Sequence, residues 1–124
     1  MLAGRGCMDK KTTVILVRQE GLGFVSPDDR NFGYEMFDKF LHVLESLPSR
    51  PEAICFYTEG VKLAAEGSPL VPPLKLIEGM GVRLLICVTC VDYYGLRDRI
   101  AVGQICGMND IVRLLLEADN VLAV

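Results

Sequence analysis

The sequence predicts an α/β fold: a single domain on a mainly parallel five-stranded sheet with helices over both faces. Two observations predict it. Short apolar runs alternate along the chain with segments of helical period. The runs are also apolar at nearly every position, not at every second one, as expected of strands covered on both faces.

The first run, residues 12–18 (TTVILVR), is β-branched and reads as a buried strand. Residues 19–31 are rich in Gly, Pro and Asp and read as a loop. From Phe32 the period changes. Met36, Phe37, Phe40, Leu41, Leu44 and Leu47 form an apolar stripe, with Glu35, Asp38, Lys39, His42 and Glu45 opposite. Pro48 ends that helix, because it lacks an N–H and pushes Leu47 out of the α region.

Residues 52–57 (EAICFY) read as the second strand, Thr58-Glu59-Gly60 as a turn, and residues 60–65 as a short helical turn. Ser68 is a capping residue, and Pro72 and Pro73 suit a first helical turn. Leu74, Ile77 and Met80 line the helix that follows, and Gly79 and Gly81 close it. Residues 82–87 are the third strand. Residues 90–99 are a helix with Gly95 weakening its middle. Residues 102–106 form a short fourth strand, 109–118 the last helix and 120–124 the last strand. Residues 1–11 read as a tail and 12–124 as the domain.

Composition excludes several functions. Lys and Arg number 13 against 16 Asp and Glu, a formal charge of −3, so there is no basic footprint for nucleic acid. No apolar run approaches the roughly 20 residues that cross a bilayer, and the N-terminus has no secretory apolar stretch. The expectation is a cytoplasmic protein with no membrane partner. Five cysteines, an odd number without an export signal, read as reduced thiols and not as a disulfide framework. One histidine excludes any scheme needing two within a chain. Zinc is not expected, for want of a second ligand pair, and no cofactor is implied.

In a parallel sheet the ligand site lies beyond the carboxyl ends of the strands. Three such ends gather candidates: Thr58, Glu59 and Gly60 with Lys62 after the second strand, Cys87 after the third, and Cys106 with Met108 after the fourth. Cys87-Val88-Thr89-Cys90 is a C-x-x-C where a strand meets a helix, so a thiolate there faces free N–H groups and a partial positive charge. A free cysteine is about 3% thiolate at pH 7; lowering its pKa by two units, about 2.7 kcal/mol, makes it about three-quarters ionised. A helix end contributes only ~0.3–1 kcal/mol. N–H bonds or a cation such as Lys62 must supply the rest, against Glu59. Cys55 reads as a strand hydrophobe, Cys7 as a tail thiol and His42 as solvated.

These residues resemble the DsrE/DsrF-like sulfur-relay family, nearest to its YedF-like branch. The resemblance rests on FGYEMFDKFL (32–41), GVKLAAEGS (60–68), GVRLLICVTCVDYYGL (81–96) and VGQICGMNDIVRLLLEADNVLAV (102–124). It implies that Cys87, eight residues before Gly95, carries sulfur as a persulfide. Cys90 then matches the second cysteine of the branch's C-G-T-C form, as a thiol that attacks that persulfide or hydrogen-bonds to it. Val88 departs from the branch's glycine, Thr58-Glu59 from an Asn-Ser-like pair, and Gly107 from an Asn. The resemblance further implies sulfur donor and acceptor proteins, among them a TusA-like partner, and a homo-oligomer, commonly a trimer or hexamer. An oligomer also suits the last helix, which is apolar nearly all round at Ile111, Val112, Leu114, Leu115 and Leu116. Sulfur transfer is the leading expectation. A C-x-x-C thiol–disulfide redox protein and a non-catalytic small-ligand or interaction subunit are the alternatives.

Overall fold

The computed structural model describes residues 11–124. Cys7 and all but the last residue of the expected tail lie outside the described residues.

Five strands, β1 (Thr13–Val17), β2 (Ala53–Phe56), β3 (Arg83–Cys87), β4 (Gln104–Cys106) and β5 (Asn120–Ala123), form one sheet in the order β4-β3-β2-β1-β5. Every pairing is parallel. Four helices connect them: α1 (Arg30–Ser46), α2 (Val71–Gly79), α3 (Val88–Tyr93) and α4 (Met108–Glu117). The chain steps from β1 to β4 in one direction and then returns past the whole sheet to β5. Right-handed crossovers therefore put α1, α2 and α3 on one face and leave α4 for the other. In agreement, α1 packs beside α2, and α4 packs on β3.

The central strands are sealed. Val14, Ile15 and Val17 of β1, all of β2, and Leu84 to Cys87 of β3 are buried, as are Phe37 and Leu41 of α1 and Leu74 and Ile77 of α2. The edges are not. All of β5 is exposed, including Val121 and Leu122, and β4 is only partly covered. The expectation of strands buried on both faces thus fails at β5, which has one neighbour among the described strands.

Several boundaries also differ from expectation, each for a local reason. Pro27–Asp29 forms a 3-10 turn within the expected 19–31 loop and leads into α1. Leu47 leaves that helix in an extended conformation ahead of Pro48 and is exposed, so it does not join the buried stripe. Ser68 does not cap α2; its hydroxyl accepts the Leu70 N–H at 3.1 Å one turn too early, and Leu70 is the cap residue. The third helix is shorter than the expected 90–99. Gly95 adopts φ +68° and ends it, with its N–H on the Asp92 carbonyl (3.1 Å) and the Leu96 N–H on the Val91 carbonyl (2.8 Å). A short 3-10 turn, Arg97–Arg99, follows. The last helix is not buried all round: Ile111 is buried, but Met108, Val112 and Leu116 face outward.

Candidate functional site

All strands run the same way, so the segments after β1, β2, β3 and β4 emerge along one edge. After β2 the chain turns at once into a 3-10 segment, Thr58–Ala64. That segment is pinned. The Tyr57 N–H reaches the Val17 carbonyl (3.1 Å), the Ala101 N–H reaches Ala64 (2.8 Å), and Ala65 bridges Ile100. Gly60 is buried against β1, where a Cβ would sit 2.4 Å from the Val17 carbonyl oxygen. Its place at the site edge is one of close packing.

Thr58 has φ +48°, the left-handed region, which a β-branched residue rarely adopts; such strain costs ~1–3 kcal/mol. Its hydroxyl donates to the Arg18 carbonyl at 2.8 Å and helps to hold it there. The consequence is chemical. The Thr58 N–H points at the Cys90 sulfur, with N···Sγ 3.0 Å.

Cys90 lies in the first turn of α3, half-buried, three residues after Cys87, which closes β3. Burial pushes the Cys90 thiol up, the Thr58 N–H pulls it down, and the hydrogen bond and charge of Cys87 push it up again; the net direction is upward. Cys106 is the register partner of Cys87 across β3 and β4 and is half-buried; burial first, then the charge of Asp110, raises its thiol. Since Cys55 pairs with Leu85, two residues before Cys87, strand alternation places Cys55, Cys87 and Cys106 on the same face of the sheet. Cys55 is fully buried, and burial pushes its thiol up to about 11. All four described cysteines are free thiols.

A sulfur carrier at Cys87 calls for an exposed sulfur, yet Cys87 is 1% exposed and belongs to the core cluster. The reason is positional: it is the last residue of a central strand, so its side chain is packed like those before it. Cys90, three residues on, is the more open member of the pair.

A cavity of about 210 Å³ opens at Glu59, next to Thr58 in the chain, and is lined also by Gln19, Glu20, Phe24, Arg30 and Lys62, with none of the described thiols in its wall. Lys62 stands over the Tyr94 ring, 4.4 Å from its centroid, and 4.0 Å from a Glu20 carboxylate oxygen. The Tyr34 hydroxyl donates to Glu20. Burial and the Glu20 carboxylate together push that phenol up to about 12. The structure therefore brings together Thr58, Cys87, Cys90 and Cys106, and places Glu59 and Lys62 on the neighbouring cavity. Met108 starts α4 two residues after Cys106, 41% exposed. Sequence reasoning missed Glu20, Arg30 and Tyr34. The signal was available, since the strand-end rule that found the ends of β2, β3 and β4 applies equally to β1. His42 is exposed on α1, its Nδ1 2.8 Å from the Asp38 carbonyl oxygen. Among the described residues no cluster of three or more His, Cys, Asp or Glu side chains is arranged to hold a metal ion. No described helix is long and apolar enough to cross a membrane.

Comparison with known proteins places this geometry. The YchN protein of E. coli superposes with a TM-score of 0.69 at 18% identity, over 93% of this chain and 100% of that one. A protein of unknown function from Methanobacterium thermoautotrophicum gives 0.66 at 18% identity, with the same coverage. One from Bacteroides thetaiotaomicron gives 0.62 at 14%, over 90% of this chain and 94% of that one. At such identities these establish a shared fold. No curated protein sequence matches the chain significantly. The model of the DsrE/DsrF-like family matches residues 50–124, which hold β2 to β5 and all four described cysteines but Cys55's partner strand β1. With more than half of its length matched, this chain belongs to the DsrE/DsrF-like family.

Proposed function

We propose that this protein transfers sulfur, carrying it as a persulfide on the Cys87–Cys90 pair. Family membership supports a role in sulfur relay. The observation that carries the reading is the Cys90 sulfur, half-buried, one helical turn from a second thiol at Cys87 and met at 3.0 Å by a backbone N–H. An N–H aimed at sulfur stabilises a thiolate or persulfide anion more than a neutral thiol. The segment that supplies it is strained and pinned, so the donor is in place before sulfur arrives.

A persulfide donor gives up its terminal sulfur to a thiolate of the pair and leaves as a thiolate. The loaded protein then presents that sulfur to an acceptor thiol. A TusA-like protein fits as partner. A homo-oligomer fits too, because Val112 and Leu116 of α4 and Val121 and Leu122 of β5 leave apolar side chains exposed on the last helix and strand. The rival reading, a thiol–disulfide redox protein, uses the same pair without carrying sulfur. Mass spectrometry after treatment with glutathione persulfide separates the two. Gain of one sulfur atom within the peptide holding residues 87–90 supports transfer. Loss of two hydrogens in wild type, with no sulfur gained by either folded single-serine variant of the pair, favours the redox protein.

A further inference from the structure

We propose that sulfur enters this protein on Cys90, with Cys87 as the thiol that resolves it. The inference rests on the sulfur-transfer reading above and assigns the two cysteines their order. Three observations lead to it, the third being what holds the second in place. First, access differs: Cys87 is 1% exposed within the core cluster, whereas Cys90 is half-buried on the first turn of α3. A donor persulfide must approach its target sulfur in line, so the more open thiol is the one it can reach. Second, the anion-stabilising N–H of Thr58 is directed to Cys90 and not to Cys87. Third, that N–H is held by a positive-φ threonine whose hydroxyl is bonded to the end of β1, a conformation with no evident use in packing, since Thr58 is itself exposed.

The chemistry balances as follows. The Cys90 thiolate attacks the terminal sulfur of the donor persulfide. A new S–S bond forms at Cys90, the donor's S–S bond breaks, and its electron pair leaves with the donor thiolate. If an acceptor thiol arrives, it takes the outer sulfur and Cys90 returns as a thiolate. If none does, Cys87 attacks the inner sulfur of the Cys90 persulfide. The Cys87–Cys90 disulfide forms, and hydrosulfide leaves with the outer sulfur, the electron pair and the proton from Cys87. The two thiols are oxidised by two electrons and the outer sulfur is reduced by two. A dithiol reductant resets the pair.

The test is peptide mapping of the full chain after brief treatment with glutathione persulfide and alkylation. Four proteins are compared: wild type, Cys87→Ser, Cys90→Ser, and Cys87→Ala as a second residue-87 variant because that residue is buried. Circular dichroism checks that each is folded. The expected result is sulfur on Cys90 in both residue-87 variants, retained longer than in wild type because the resolving thiol is gone, and at least a tenfold loss of loading in Cys90→Ser. Sulfur on Cys87 in folded Cys90→Ser at the wild-type rate overturns the assignment and leaves sulfur transfer standing. Loading that maps to Cys55 or Cys106 also overturns it. No sulfur on any cysteine of the wild type or of any folded single variant ends both this inference and the reading beneath it.

Discussion

Replacing Gly60 with alanine tests whether the segment that aims the Thr58 N–H is as tightly seated as described. A Cβ there would lie 2.4 Å from the Val17 carbonyl oxygen and 3.0 Å from its carbon. Ordinary contact begins near 3.4 Å, so the overlap with the oxygen is about 1 Å (3.4 − 2.4). Both sides are backbone. The strand cannot yield, because Val17 closes β1, whose residues 14–17 are all buried, and the 58–64 segment is tied at Tyr57, Ala64 and Ala65. Overpacking of this kind costs ~1–3 kcal/mol, and the rigid surroundings favour the upper half. For a domain of this size that lowers Tm by roughly 6–15 °C. A shift of the segment by a similar distance would also stretch the contact from Thr58 to Cys90. Thermal unfolding followed by circular dichroism reads the first effect, and the rate of Cys90 alkylation, resolved by peptide mapping, reads the second. A Gly60→Ala protein that melts within about 1 °C of wild type and alkylates at the same rate would refute the close approach and the positioning argued from it.

Other outcomes follow from single residues. Gly95→Ala forces a Cβ into the left-handed turn that ends α3 and should cost ~1–2 kcal/mol in urea unfolding, whereas the same change at an open helical surface position would be neutral or stabilising. Cys55 ionises near pH 8.5 when unfolded and only at about 11 when folded. Its contribution is therefore intact below the unfolded value and lost as pH rises toward 11, up to about 3 kcal/mol; stability measured from pH 8 to 11 should fall more steeply in wild type than in Cys55→Ala, and equal slopes would contradict this. Cys90 alkylation should show a pH midpoint above that of a free cysteine, and Cys87→Ala should move it down, since the hydrogen bond and charge of Cys87 both push it up. An upward or absent shift in that variant would refute the coupling.

The fold was legible because its signals are local. The apolar runs that became β1, β2 and β3 need no partner to be recognised, and Pro48, Pro72 and Pro73 mark helix ends by covalent geometry. Gly95 was seen but read as a weakness within a helix, because whether a glycine takes positive φ depends on the capping bonds around it. The candidate site was half legible. The C-x-x-C and its place at a strand end are sequence facts, and topology alone brings Thr58 and Cys106 to them. Two features were out of reach. The burial of Cys87 arises from neighbours distant in sequence, and the left-handed Thr58, the least expected residue for that conformation, shows itself only in three dimensions.

Sulfur uptake by the thiol pair is the claim on which the account stands. Intact masses of the folded single variants Cys87→Ser and Cys90→Ser, in which no second thiol of the pair can release the sulfur, and of the folded double variant, taken side by side after exposure to glutathione persulfide and desalting, test it. The account predicts a gain of one sulfur atom in a single variant and none in the double. Equal gain in all three, or gain in none, would contradict it.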